Sequence, residues 1–257
     1  MSRPPGKGRP SLECEGVRAS LSAWLALPLC LSLAACGVSA DPQSAPLPVR
    51  SRPPTRLAFA CQRPGPGRGL ACREVDAAEQ LAAGRLQGGA IDLTGDGVPE
   101  WVLLEGSQVV VHSQAVETWR GLPEWEVVDL ALGDPNDDGR GEMLLALWKS
   151  DAEGVLRSHP FIVGYRGGTY RVLWGGSAVA APIREVELGD VDADGVEELV
   201  VIEEGDAGGR GGHVTIWRWH GWGFSLLWRS DSGQYRDLAL LSNTAQAGDL
   251  ISVYREP

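Results

Sequence analysis

Residues 190–198 read DVDADGVEE, with aspartates at positions 1, 3 and 5, glycine at position 6 and glutamate at position 9. Oxygen-bearing side chains recur at these positions in residues 92–100 (DLTGDGVPE) and 134–142 (DPNDDGRGE). A hard cation such as calcium takes about six to eight oxygen ligands, and alternate residues of a tight loop point inward together while glycine permits the bend. The three stretches, named loop 1 (92–100), loop 2 (134–142) and loop 3 (190–198), therefore predict metal-binding loops.

Short apolar runs flank each loop. Residues 186–188 precede loop 3 and residues 199–202 follow it, and comparable runs flank loops 1 and 2. Short apolar runs bounded by turn residues are typical of strands that are covered on both faces. The closing glutamate comes earlier than in the helix–loop–helix calcium site. We therefore expect strands rather than helices beside the loops, with each loop at the tip of a β-hairpin.

A second pair of strand-like runs follows each loop hairpin, and the last run of each pair ends on a tryptophan. These tryptophans are Trp119, Trp174 and Trp228. A unit of four strands is the composition of a propeller blade. The predicted units span residues 86–120, 121–177 and 178–231.

The two ends of the chain supply half a unit each. Residues 232–257 contain two strand-like runs, and residues 55–77 contain two more around a proline- and glycine-rich turn. Pairing the first and last strands in one sheet removes two open edges. We therefore predict an all-β fold, a β-propeller of four four-stranded blades closed by this composite blade. An open stack of sheets, or a ring completed by a second chain, is the alternative.

A fourth loop lies between the two C-terminal runs. Ser242, Thr244 and Gln246 stand there in place of the acids of the other loops. Because these side chains carry no charge, we expect this loop to bind no metal.

The N-terminal residues 1–35 contain basic residues followed by an apolar stretch, which predicts a signal peptide. The apolar stretch is short for a membrane span. It ends in Leu-Ala-Ala-Cys, which resembles the lipobox of bacterial lipoproteins and implies a lipid on Cys36, with the protein anchored in the cell envelope on its extracytoplasmic side. An ordinary secretory signal is the alternative. Residues 36–54 are rich in proline and serine and predict a flexible tether to a domain at 55–257.

Charge and cysteine content restrict the classes of partner and the redox compartment of the protein. The net charge is −11, which makes nucleic acid an unsuitable partner. Three of the five cysteines belong to the export segment, which leaves Cys61 and Cys72. A cysteine pair in an exported chain predicts a disulfide, and two buried thiols are the alternative.

The repeated acid loop followed by a hydrophobic strand resembles the FG-GAP/VCBS repeat family, whose calcium-loop blades also form the heads of integrin α-subunits. The resemblance covers about residues 55–257, although the Phe-Gly and Gly-Ala-Pro signatures of the family are absent. It implies a β-propeller with calcium in outward hairpins that serves adhesion, ligand binding or scaffolding. The implied ligands are Asp92, Thr94, Asp96, the Val98 carbonyl and Glu100; Asp134, Asn136, Asp138, the Arg140 carbonyl and Glu142; and Asp190, Asp192, Asp194, the Val196 carbonyl and Glu198.

The three loops differ in predicted affinity. Thr94 is a weak neutral ligand and Pro99 stiffens loop 1, so we rank loop 3 above loop 2 and loop 2 above loop 1. Aspartate, asparagine and glycine also favour plain turns. Three loops in phase with the strands favour calcium over that alternative.

One aromatic segment is a candidate ligand site. Trp217 and Trp219 share a strand face, Arg218 lies between them and Trp222 lies in the following turn. Aromatic faces with an arginine suit sugar stacking or protein recognition, so Trp222, Trp219 and Arg218 are possible ligand-binding residues. Packing between blades is the alternative for Trp217 and Trp219.

Together these features predict a calcium-binding, lipid-anchored binding or scaffold module that recognises a glycan or a protein. A carbohydrate-active enzyme and a purely structural subunit of an envelope assembly are the alternatives. The chain has no nucleophile elbow and no paired-histidine metal motif, and its four histidines are isolated in sequence. We therefore expect no enzymatic activity.

Overall fold

A computed structural model of the chain describes residues 54–65, 68–75, 88–150, 156–175, 181–205, 211–242 and 248–257. All of them belong to one unit, Arg50–Pro257. The predicted signal peptide, Cys36 and nearly all of the tether lie outside the described residues, as do Thr244 and Gln246. Within the described ranges, no helix has the length and apolarity needed to cross a membrane.

The described part of the chain is built from sixteen β-strands, and it contains no helix. The strands are β1 (Thr55–Gln62), β2 (Ala71–Val75), β3 (Gly88–Ile91), β4 (Glu100–Glu105), β5 (Gln108–Ser113), β6 (Val116–Arg120), β7 (Glu126–Gly133), β8 (Glu142–Ser150), β9 (Leu156–Arg166), β10 (Thr169–Gly175), β11 (Ile183–Gly189), β12 (Glu198–Glu203), β13 (His213–Trp219), β14 (Phe224–Arg229), β15 (Gln234–Leu241) and β16 (Leu250–Glu256). The apolar runs identified in the sequence all fall on these strands.

The strands form four antiparallel sheets of four strands each. Sheet 1 contains β3–β6, sheet 2 contains β7–β10 and sheet 3 contains β11–β14, each in chain order. The composite sheet has the order β15-β16-β1-β2, so the two ends of the described chain share one sheet. Leu57 of β1, for example, lies opposite Val253 of β16. The predicted all-β class and the predicted composite sheet are confirmed.

Burial explains why the central strands are continuously apolar. All six residues of β12 are buried, and so are the first six residues of β8. Neighbouring side chains of a strand point to opposite faces, so both faces of these strands are covered.

Three apolar cores lie between consecutive sheets. Representative buried residues are Val111 and Leu145 between sheets 1 and 2, Leu144 and Val201 between sheets 2 and 3, and Val200 and Ile251 between sheet 3 and the composite sheet. Among the described residues, no apolar cluster joins the composite sheet to sheet 1. The four sheets therefore follow one another in series.

Acidic side chains link the first strands of neighbouring sheets. The Asp129 carboxylate accepts a hydrogen bond from the Val186 backbone N–H at 2.8 Å. The Glu185 carboxylate accepts one from the Leu238 N–H at 2.7 Å. Asp129 and Glu185 both stand five residues before the first aspartate of their loops, so the same link recurs in two sheets.

The first hairpin carries a covalent bond. Cys61 of β1 and Cys72 of β2 lie opposite each other in the strand register. Their Sγ atoms form a disulfide. It ties the edge strand β2 to the composite sheet.

Candidate metal centres

The three acidic loops lie at the tips of the hairpins β3–β4, β7–β8 and β11–β12, between the first and second strands of their sheets. Their backbones share one conformation. Position 6 has a positive φ in each loop: Gly97 at 85°, Gly139 at 81° and Gly195 at 87°. Position 4 also has a positive φ in each: Gly95 at 78°, Asp137 at 55° and Ala193 at 60°. Residues other than glycine rarely adopt a positive φ, so Asp137 and Ala193 place backbone strain in loops 2 and 3.

The aspartate at position 1 holds each loop closed. Its carboxylate accepts the N–H of the position 6 glycine at 2.8 Å in loop 1, 2.7 Å in loop 2 and 2.9 Å in loop 3. A second N–H, from position 4 or 5, reaches the other oxygen of the same carboxylate. Asp92, Asp134 and Asp190 therefore shape the backbone on which the remaining ligands stand.

The glutamate at position 9 is almost fully buried in every loop. Glu100 accepts the Leu93 N–H at 2.8 Å, and Glu198 accepts the Val191 N–H at 3.2 Å. Loop 2 has Pro135 at the corresponding position, and proline has no N–H to donate. Accordingly, Oε2 of Glu142 is buried without a hydrogen-bond partner.

Loop 3 also contains buried oxygens that accept no hydrogen bond, Oδ1 of Asp192 and Oε1 of Glu198. An unsatisfied buried acceptor costs about 1–3 kcal/mol, and more when it is charged. Carboxylate oxygens in loops 2 and 3 come within 4.8 Å of one another, in the groups Asp134, Asp138 and Glu142 and Asp190, Asp192 and Asp194. These acidic clusters can hold a metal ion.

Arginines approach the carboxylates of loops 2 and 3. Arg166 of β9 lies 2.6 Å from Asp138 and also contacts Glu142. Arg218 of β13 lies 2.6 Å from Asp194, and Arg63 lies 2.6 Å from Asp192. The guanidinium groups therefore stand beside the space that a metal ion needs.

These arginines compensate the buried glutamates only in part. The pKa of Glu198 is raised to about 8, chiefly because the carboxylate is buried and then because Asp192 is close, while Arg218 acts in the opposite direction. Burial likewise raises the pKa of Glu142 to about 7, against the opposing hydrogen bond from Arg166. The arginines therefore do not fully balance the buried carboxylates of loops 2 and 3, and a compact dication can supply the remaining positive charge.

Loop 1 differs from the other two loops. Its position 3 is Thr94, whose hydroxyl donates to Glu100 at 3.3 Å. Among the described residues, no basic side chain forms an ion pair with its acids, which are Asp92, Asp96 and Glu100. Any cation in loop 1 must therefore come from outside the described chain.

The remaining predicted ligands lie on the loop rims. Oδ1 of Asn136 accepts the Asp138 N–H at 3.1 Å. At position 7, the N–H groups of Val98 and Val196 donate to the aspartates two residues earlier, at 2.8 and 3.1 Å. Arg140, at position 7 of loop 2, is exposed.

Neighbouring loops touch each other. The Glu197 carboxylate of loop 3 accepts the Asp134 N–H of loop 2 at 2.7 Å. A Cβ added at Gly141 of loop 2 would lie only 2.9 Å from the carbonyl oxygen of Asp92 in loop 1. The three loops therefore follow one another along one continuous edge.

The three residues of the candidate aromatic site have different surroundings. Arg218 is engaged with loop 3, as described above. Trp219 packs edge-on against Trp174 at 5.6 Å between ring centroids, and also against Phe224. Trp222 is 79% exposed, and its carbonyl accepts the Trp174 indole N–H at 3.0 Å. Trp222 alone of the three presents most of its side chain to solvent.

Sequence reasoning missed Arg63 and Arg166, because their approach to the loops depends on strand register and on the docking of the first hairpin. In comparisons with known proteins, no family model and no curated protein matches this chain.

Proposed function

We propose that this protein is a calcium-stabilised binding or scaffold module, anchored by a lipid on the extracytoplasmic side of a bacterial cell envelope. The observation that carries the proposal is the set of buried carboxylate oxygens without hydrogen-bond partners in loops 2 and 3, namely Glu142 Oε2, Asp192 Oδ1 and Glu198 Oε1. Calcium coordinates oxygens at about 2.3–2.6 Å, and a single ion satisfies several carboxylates at once.

The chemistry of the loops favours calcium over softer metals. The predicted ligands are carboxylate, amide, hydroxyl and carbonyl oxygens, with no histidine or cysteine among them. Such all-oxygen sets suit hard cations. Arg166 and Arg218 have long side chains, and calcium occupancy requires that they swing away from Glu142 and Glu198.

The proposal includes the fold family. The three repeated loops, the four sheets in series and the composite sheet support an FG-GAP/VCBS-like β-propeller with the sheets as its blades. Closure requires the composite sheet to meet sheet 1. Adhesion, scaffolding or ligand recognition is then the role, with a glycan or a protein as the partner.

Thermal unfolding tests the calcium part of the proposal. The mature chain without its lipid (residues 37–257) is melted in calcium and in the chelator EGTA. Binding to the folded state alone adds about 2.7 kcal/mol per loop when free calcium is about a hundredfold above Kd. A higher Tm in calcium is expected, and equal Tm values would overturn the proposal.

The anchoring part is tested separately on the full chain. Cys36→Ser removes the thiol that the lipid requires. We expect this variant to lose incorporation of a labelled fatty acid and to leave the membrane fraction. Unchanged labelling of the variant would show that the lipid is not attached to Cys36, which would overturn this part of the proposal.

A further inference from the structure

A cavity of about 300 Å³ lies beside loop 1, where sheets 1 and 2 adjoin. Three predicted ligand residues of loop 1 line it: Thr94, Asp96 and Glu100. Three aromatic residues line another part: Trp119, Tyr165 and Tyr170. Its size is at the lower end of the range for small-molecule sites, about 300–1,000 Å³. The cavity therefore gives an external molecule access to the loop.

The register explains why this space is open beside loop 1. Trp101 of β4 pairs with His112 of β5, which puts Ser113 beside Glu100. In sheet 3, Leu199 pairs with Trp217, so the residue at the place of Ser113 is Arg218. The Arg218 guanidinium reaches to 3.4 Å from Glu198. Serine at the corresponding place is too short to fill the space, so the acids of loop 1 face the cavity.

The lining restricts the chemistry of an occupant. Four of the lining side chains carry aliphatic hydroxyl groups: Thr94, Ser113, Thr118 and Thr169. No basic residue lines the cavity, and the three acids of loop 1 outweigh the two positive charges of a calcium ion, so a phosphate or a carboxylate is not favoured there. The rings of Tyr165 and Tyr170 pack edge-on at 5.0 Å, and those of Trp119 and Tyr170 lie 5.6 Å apart. Hydroxyls together with an aromatic wall suit a ligand with a polar rim and an apolar face.

We propose that this cavity binds a neutral carbohydrate whose adjacent hydroxyls complete the coordination of calcium in loop 1. The inference rests on the proposed calcium site. Thr94 is a neutral ligand, so calcium in loop 1 has a weaker protein shell than in loops 2 and 3 and takes oxygens from outside. An organic ammonium group has no lone pair to offer the ion, whereas adjacent hydroxyls do, so the occupant is a neutral polyol. The sugar ring packs on the aromatic wall.

The proposal is tested with mannotriose and cellotriose as ligands, using saturation-transfer NMR in calcium and in EGTA. We expect saturation transfer to at least one sugar in calcium and its loss in EGTA. Ser113→Arg introduces at loop 1 the arginine that sheet 3 has at Arg218, and Tyr165→Ala removes part of the wall. Each variant should weaken sugar binding by about tenfold or more. Leu226→Ala removes an exposed apolar side chain outside the cavity and should leave binding unchanged.

The possible failures separate the two proposals. If calcium raises Tm but neither sugar binds, the calcium proposal stands and the carbohydrate site is overturned. If a sugar binds equally in EGTA, or binds Ser113→Arg as well as the wild type, it occupies another site and the inference is wrong. Saturation transfer to choline in EGTA, lost in Tyr165→Ala, would assign the cavity to an organic cation instead. If calcium changes neither Tm nor sugar binding, both proposals fail.

Discussion

The guanidinium of Arg218 lies 2.6 Å from the carboxylate of Asp194, across the hairpin tip that forms loop 3. Arg218 stands on β13, and its other amino group lies 3.4 Å from the buried Glu198. Without a metal ion, Arg218 is thus one of two arginines that partly neutralise the loop. With calcium present, it competes for the same carboxylates.

Replacing Arg218 should therefore have opposite effects in the two conditions. Arg218→Ala is expected to lower the free energy of unfolding in EGTA by about 1–3 kcal/mol, because buried carboxylates lose a partner. Calcium should then bind loop 3 about tenfold more tightly, which corresponds to about 1.4 kcal/mol. Denaturant unfolding in EGTA and calcium titration measure the two effects. Arg229→Ala is the control, because Arg229 pairs with Glu203 outside the loops. Weaker calcium binding by Arg218→Ala would contradict the competition.

Neutralising Glu198 should reverse the pattern. Glu198→Gln replaces a buried carboxyl, whose ionised form the arginines stabilise only in part, with a neutral amide, so the protein in EGTA is expected to be at least as stable as the wild type. In calcium, the variant should lose about 2–3 kcal/mol of the metal-dependent stabilisation, because one loop no longer binds. Tm measurements of the wild type and the variant, each in EGTA and in calcium, check these two expectations. Glu204→Gln, at an exposed position, should match the wild type throughout. A Glu198→Gln variant with a full calcium response would exclude this residue as a ligand.

The disulfide should contribute substantially to the composite sheet. Cys61 and Cys72 are separated by 11 residues, and closing a short loop of this kind typically stabilises by about 2–4 kcal/mol. The double variant Cys61→Ala, Cys72→Ala should lose an amount in this range in denaturant unfolding. Adding a reductant should destabilise the wild type and leave the double variant unchanged. Equal stabilities without reductant would show that the bond has no stabilising role.

The link between sheets 2 and 3 gives a further prediction. Asp129→Ala leaves the Val186 N–H without its carboxylate acceptor, which should cost about 1–3 kcal/mol of unfolding free energy. Asp129→Asn keeps an oxygen acceptor and should cost less. Asp231→Ala, on an exposed residue, serves as the control. If both substitutions of Asp129 behave like the control, this hydrogen bond does not stabilise the contact between the sheets.

Much of the architecture is predictable because the acidic loops mark where each repeated hairpin turns. Once Asp92, Asp134 and Asp190 mark the hairpin tips, the apolar runs on either side can only be paired strands. The composite sheet follows from counting strands and from the instability of open edges. The disulfide of the first hairpin follows from the two cysteines that remain after the export segment.

The details of the loops are less accessible, because they depend on contacts distant in sequence. Arg63 meets Asp192 across 129 positions, and nothing local to either residue indicates that contact. Nothing in the sequence around Asp129 indicates that its carboxylate accepts a hydrogen bond from the next sheet. The left-handed backbone at Ala193 contradicts local preference, and the rest of the loop imposes it. That Pro135 leaves the Glu142 carboxylate without a backbone N–H is visible only once the structure places this carboxylate in the buried loop.

The most direct test is a count of the metal ions bound to the purified mature chain, by elemental analysis after dialysis against trace calcium. The account predicts calcium at about two to three ions per chain, falling by about one in Glu198→Gln and unchanged in Glu204→Gln. A wild-type protein that retains no calcium, with its fold intact, would show that the three loops are turns closed by aspartates and arginines. It would contradict the proposed function.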